Sequence, residues 1–195
     1  MTAPDLLAAV GPVLDLLQEI GVRHYVGGSI ASSAHGVARA SIDADVVAEL
    51  RPEHADRLCL ALAADYYVPE ARVRDGIARK ASFNVIHLET MLKVDVFVSR
   101  GRPFDRRAMD RARPSFPETA GERALPLASA EDTVLSKLEW FRRGGEVSER
   151  QWTDVVGVLR AGGESLDRAY LEDGARELGV SDQLVRALAE ARGTA

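Results

Sequence analysis

The chain has 195 residues, 46% of them hydrophobic and 28% charged, with a formal net charge of −5. That length suits one domain, or a core domain with a small appendage, and is enough to bury a real core. The acidic balance argues against a broadly basic nucleic-acid-binding surface while leaving room for a local patch, and the single cysteine, Cys59, excludes an intrachain disulfide and argues against a cysteine-built metal centre.

No apolar run reaches the roughly 18 residues of a membrane span, and the N-terminus lacks the basic-then-apolar layout of a secretory signal. The expectation is a cytoplasmic protein without membrane contact. "PDLLAAVGPVLDLLQEIGV" repeats apolar residues at helical spacing (Leu6, Val10, Leu14, Leu17) and closes at Gly21. Pro12 inside it predicts a kink or a later start. "HYVGG" reads as a short strand entering a turn, "SIASSAHG" as a helix opening at Ser29, and "SIDADVVAEL" as a strand. "RPEHADRLCLALAAD" predicts a helix with Pro52 near its first turn, Cys59 serving as a small apolar filler. "YYV" is strand-like and "ARVRDGIAR" is ambiguous. "SFNVIHL" and "LKVDVFVS", separated by a short turn, predict an antiparallel pair.

Prolines 103, 114, 117 and 126 predict an irregular joint between two subdomains. Beyond Ser129 the pattern is helical throughout. Ser129 with Asp132 and Ser148 with Gln151 resemble capping boxes, and Ser181 is a candidate cap for the last helix. The expected fold is α+β: a core over residues 1–112, with a mixed sheet flanked by helices, then a C-terminal helical subdomain over residues 113–195.

The chemistry concentrates in acidic residues set among apolar ones. Residues two apart on a strand share a face, so Asp43 and Asp45 project together. Adjacent carboxylates repel unless a cation lies between them, and a hard divalent cation takes oxygen ligands; the same pair at a strand end is also compatible with plain solvation. Asp95 sits mid-strand between Val94 and Val96, where an isolated carboxylate pays for desolvation unless it is paired or bound to metal. Either it joins Asp43 and Asp45 in a two-metal site for phosphoryl or nucleotidyl transfer, or it pairs with Lys93 or Arg39. Gly27 and Gly28 permit a tight turn and close approach to a ligand, and Ser29 opens a helix whose N–H groups favour phosphate.

Gly-Gly-Ser at 27–29, Asp-x-Asp at 43 and 45 and the acidic strand position 95 resemble the DNA polymerase β-like nucleotidyltransferase superfamily. "RASIDAD" is similar to the Arg-x-[Ser/Thr]-x-Asp-x-Asp strand of small bacterial nucleotidyltransferases related to AbiEii-type abortive-infection toxins. "KVDVFVSRGRPFDRRAM" and "LASAEDTVLSKLEWFRRGGEVSERQWTDVVGVLR" resemble a widespread bacterial group within that set. The resemblance implies a nucleotidyltransferase core and a metal-dependent enzyme that moves an NMP group from an NTP to a hydroxyl acceptor (tRNA, protein or small molecule). It implies two Mg²⁺ ions, with Mn²⁺ as a substitute, held by Asp43, Asp45 and Asp95. Asp95 would also help deprotonate the acceptor, Gly27, Gly28 and Ser29 would bind the nucleotide phosphates, and Lys137 would act near the nucleotide. A role in toxin–antitoxin or phage-defence systems, with an antitoxin partner, belongs to the same resemblance.

Other readings stand beside these. Lys137 lies at the edge of an apolar helix face and either snorkels to solvent or reaches a triphosphate. Arg39 pairs with a phosphate, with the acidic triad or with a surface partner. Asp154 is a helix-surface carboxylate or a partner of Lys137. The arginines at 100, 102, 106, 107, 111 and 113 either guide a triphosphate or RNA acceptor, or solvate the joint. The four histidines, His24, His35, His54 and His87, have no metal-ligand spacing. The alternative function is a non-catalytic nucleotide- or partner-binding module on the same fold.

Overall fold

The structure is a computed structural model, and it describes residues 3–36, 43–115 and 123–193. Helix α1 spans Ala3–Glu19 and continues through Pro12, so it has no late start. The reason is in its packing. Leu6, Val10, Val13, Leu14 and Leu17 are buried along one face. Pro12 and Ala8 are on the exposed side, where the carbonyl that the proline ring leaves unbonded meets water. Gly21 follows with φ +70°, the left-handed conformation that glycine adopts at no steric cost.

After α1 come β1 (His24–Val26), α2 (Gly28–Ala34), β2 (Asp43–Ala48), α3 (Ala55–Leu62), β3 (Tyr66–Tyr67), α4 (Glu70–Ala78), β4 (Ser82–His87) and β5 (Lys93–Val98). The ambiguous "ARVRDGIAR" is thus helical, with Val73 and Ile77 one turn apart and both buried. The segment expected to be an irregular joint is also structured. It carries α5 (Pro103–Arg111), β6 (Arg113–Ser115) and β7 (Leu125–Leu127). Pro103, Pro114 and Pro126 did not prevent this: they fall at the first turn of α5 and in short strands at one side of the sheet, while Pro117 lies outside the described residues. Helices α6 (Ala130–Arg143), α7 (Glu149–Gly162), α8 (Arg168–Leu178) and α9 (Ser181–Gly193) complete the chain.

The seven strands form one mixed sheet in the order β3-β4-β5-β2-β1-β7-β6. The central pair β2 and β5 is parallel; β4 is antiparallel to β5, and β1 to β2. Strand β7 lies parallel to β1, so the sheet takes its last two strands from beyond residue 112. One face of the sheet (Ala44, Val46, Ala48, Val94, Val96, Val98) packs with α1, α3 and α4 in one core. Truncating a buried residue such as Leu17 to alanine costs about 2–5 kcal/mol at sites of this kind. The other face turns towards a second core, built from Tyr25, Phe104 and the apolar sides of α6 to α9.

Both expected capping boxes at least form their backbone-to-hydroxyl half: Ser129 Oγ accepts from the Asp132 N–H (3.1 Å), and Ser148 Oγ from that of Gln151 (3.4 Å). Asp132, fully buried, also accepts from Ser129 Oγ (2.7 Å) and from Tyr170 Oη (2.5 Å), with Arg111 stacked 4.0 Å over the Tyr170 ring. This network ties α5, α6 and α8 together and fixes how α6 lies over the sheet.

Candidate active site

The turn after β1 and the strand β2 meet closely. The Gly27 N–H donates to the Asp45 carbonyl (2.9 Å), which holds the turn against the strand. Gly28 has φ +56°, and a Cβ placed there would stand 1.7 Å from Asp45 Oδ2. No other residue combines this backbone angle with that approach, so the glycine of the motif is required twice over. Helix α2 opens at Gly28, one residue before the expected Ser29, with Gly27 as its cap. Ser29 is buried, and Ser32 Oγ donates to the Gly28 carbonyl (2.9 Å).

Parallel pairing of β2 with β5 sets Asp45 opposite Asp95 and Asp43 opposite Lys93. Neighbouring strands lie about 4.8 Å apart, so these side chains emerge from one sheet face as immediate neighbours. Lys93 Nζ is 2.7 Å from Asp95 Oδ2, which bears out the pairing alternative for that carboxylate. The Asp45 carboxyl is pushed up to about 6, chiefly by burial, then by the charges of Asp43 and Asp95; Lys137 and Lys93 pull it the other way.

Among the described residues no three histidine, cysteine, aspartate or glutamate side chains are grouped as a metal cage. The donor chemistry still fits a hard divalent cation: three carboxylates on one face, with the charged form of Asp45 disfavoured by burial and by the other two. Lys93 is the cation that Asp95 engages here.

Helix α6 closes the site from above. Lys137 is buried and its ammonium is 2.7 Å from Asp154 Oδ2 on α7. It therefore does not snorkel to solvent, and Asp154 is its partner. Between α6 and the sheet lies a cavity of about 450 Å³, lined by Gly27, Gly28, Asp45 and Lys137 among others. Thr133, Ser136, Lys137 and Trp140 line it from α6, a stripe at i, i+3, i+4 and i+7. Thr133 Oγ1 and Gln151 Oε1 belong to lining residues and are buried without a hydrogen-bond partner among the described residues. Buried polar atoms of this kind call for a ligand or water.

Six of the residues singled out in the sequence thus share one cavity: Gly27, Gly28, Asp45, Arg100, Arg102 and Lys137. Asp43 and Asp95 stand beside it on the same sheet face, and Ser29 is buried in the first turn of α2. Arg39 lies outside the described residues. Sequence reasoning missed Phe97, Trp140, Thr133 and Gln151. The polar stripe on α6 was the available signal; the rest depend on how β5 and α7 come together. The arginine run is largely spent on structure: Arg102 binds Asp105 and Glu139, Arg107 binds Glu177, and Arg111 binds Glu131.

A mixed sheet whose central parallel strands carry facing aspartates, a glycine turn set against them and a helical C-terminal region laid across that face make up a nucleotidyltransferase fold. The chain is similar to the antibiotic-resistance factor ANT(2″)-Ia, with a TM-score of 0.56 and 14% identity over 95% of this chain and 97% of that one. It is also similar to an antigenic nucleotidyltransferase-like protein from Paracoccidioides brasiliensis (TM-score 0.52, 17% identity, 95% of this chain and 93% of that one). The lincosamide antibiotic adenylyltransferase LnuA, in its lincomycin-bound form, aligns with a TM-score of 0.46 and 16% identity over 75% of this chain and 91% of that one. At these identities the likeness is one of fold. No family model and no curated protein matches the sequence. Among the described residues no helix is long and apolar enough to cross a membrane.

Proposed function

We propose that the protein is a nucleotidyltransferase that moves an NMP group from an NTP to a hydroxyl acceptor. One observation carries this reading: Gly28, Asp45 and Lys137, drawn from three separate stretches of chain, line one cavity, with Asp95 in register beside Asp45. In the reaction the acceptor oxygen forms a bond to the α-phosphorus, the α–β bridging P–O bond breaks, and pyrophosphate leaves with that electron pair.

Asp43, Asp45 and, once it has left Lys93, Asp95 would hold the two divalent cations, Mg²⁺ with Mn²⁺ as a substitute, whose chemistry would be to neutralise charge on the phosphates and the leaving group. Gly27 and Gly28 let the backbone approach the phosphates without a side chain in the way. Lys137, held by Asp154, presents a fixed positive charge to the same space. Asp95 receives the acceptor's hydroxyl proton at a carboxylate oxygen once Lys93 has left it. Helix α6 covers the sheet face and keeps bulk water from the α-phosphorus.

The test is label transfer from each α-labelled NTP, with Mg²⁺, to total RNA, cell lysate and small-molecule hydroxyl acceptors. Transfer that is lost in Asp45→Asn supports the reading. Absence of transfer to every acceptor, together with no NTP binding by calorimetry, favours the non-catalytic module instead. A role as a toxin, and kinship to the AbiEii-type enzymes, rest on the sequence resemblance and would show as growth arrest on expression that Asp45→Asn relieves.

A further inference from the structure

The cavity has a chemically distinct mouth at the C-terminal end of β5. Phe97 and Trp140 line it with ring centroids 5.7 Å apart, and Trp140 keeps 46% of its surface exposed. An exposed tryptophan of that size at a cavity rim offers a planar group a face to stack on.

Lys80, Arg100 and Arg143 line the cavity along with the ring pair, and Arg106 reaches the adjoining loop. Lys80 Nζ donates to the Arg100 carbonyl (3.4 Å), and Arg106 donates to the Gly101 carbonyl, so both side chains converge on the loop that follows β5. Neither of them, nor Arg100 itself, has an acidic partner among the described residues. Arg143 stands 5.5 Å over the Trp140 ring. The carboxylates nearby are already engaged: Asp105 by Arg102 (2.8 Å), and Glu139 by Arg102 (2.6 Å) and Arg143 (2.7 Å). In a chain of net charge −5 this rim is a local positive field next to an aromatic platform.

We infer that the mouth seats the acceptor and that the acceptor is the end of a single-stranded polynucleotide. The inference rests on the nucleotidyltransferase reading for the reaction but not for the binding. Successive bases stack on Trp140 and Phe97, while Lys80, Arg100 and Arg106 follow the phosphates. The terminal hydroxyl then points to the floor, where Asp45, Gly28 and Lys137 lie. A polycationic acceptor fits poorly, because the mouth offers it no uncommitted carboxylate and repels it with three cations.

The experiment measures anisotropy of a fluorescent single-stranded oct-ribonucleotide and its DNA counterpart against the full-length protein, without NTP and over a salt series. A duplex of the same sequence and an aminoglycoside serve as competitors. Single strands bind and duplex and aminoglycoside do not compete. Trp140→Ala weakens binding about tenfold and Trp140→Phe restores most of it. Replacing Lys80, Arg100 and Arg106 together by alanine lowers the slope of log affinity against log salt by about two. Arg192→Ala, on a helix that contributes nothing to the cavity, leaves both unchanged. Absence of single-strand binding, or binding indifferent to Trp140 and the three cations, overturns the inference, even where label transfer to another acceptor upholds the function. Binding that meets these expectations with no label transfer upholds the mouth and sinks the function.

Discussion

The Asp45 carboxylate occupies the space that a side chain at Gly28 would fill. A Cβ at position 28 would stand 1.7 Å from Oδ2 and 2.5 Å from Cγ, at a backbone φ of +56°. The glycine turn and the acidic strand are therefore fitted to each other, and neither can change alone. Gly28→Ala combines left-handed strain with overpacking and should cost about 2–4 kcal/mol in urea unfolding. In an Asp45→Ala background the carboxyl overlap goes but the Cβ of residue 45 remains 2.8 Å away, so the same substitution should cost less than in the parent, about 1–3 kcal/mol. Equal costs in the two backgrounds would show that the contact is not what constrains the glycine.

The Asp45 carboxyl is raised from 3.8 to about 6, so the native state binds the proton more tightly than the unfolded chain. The sign follows: native stability is higher below pH 4 on this account and falls as pH rises from about 4 to 6, after which the penalty is constant. Asp45→Asn, which carries no charge, should be more stable than the parent at pH 7.5 in the absence of metal, by at most about 3 kcal/mol, and lose that advantage near pH 4. Thermal unfolding at both pH values checks it.

Lys137 and Asp154 form a buried pair, with side chains 11% and 2% exposed. Breaking it with Lys137→Met takes the ammonium from a buried carboxylate and should cost about 3–5 kcal/mol. Lys137→Met with Asp154→Leu should recover most of that loss while leaving nucleotide binding impaired. Recovery of nucleotide affinity along with stability would make the pair purely structural.

Lys93 competes with any cation for Asp95. Divalent metal should raise the melting temperature of the parent and have no effect on Asp43→Asn/Asp45→Asn. Lys93→Met should lower stability without metal and tighten metal binding by calorimetry. Unchanged metal affinity in Lys93→Met would free Asp95 from that competition.

Much of the site was legible in the sequence because its parts lie in elements with strong local signals. The apolar alternation around Asp43, Asp45 and Asp95 fixed their common face, and the turn glycines preceded a helix. What no local pattern carries is which strands become neighbours: the parallel pairing that sets Asp45 opposite Asp95 is a property of the assembled sheet. The segment from Arg100 to Pro126 misled for the converse reason. Its prolines signal breaks, yet Pro103 sits at the start of a helix and Pro114 and Pro126 in short strands paired at the sheet's outer side. Lys137 was visible as an oddity on an apolar helix, but its burial depends on Asp154 arriving from the next helix.

The most direct test of the account is transfer of the α-phosphate label from NTP by protein verified as folded, with Mg²⁺ and a single-stranded RNA acceptor, compared with Asp45→Asn. The account predicts labelled RNA and released pyrophosphate with the parent, and a loss of about 100-fold or more with Asp45→Asn. Transfer by Asp45→Asn at the parent rate would contradict it.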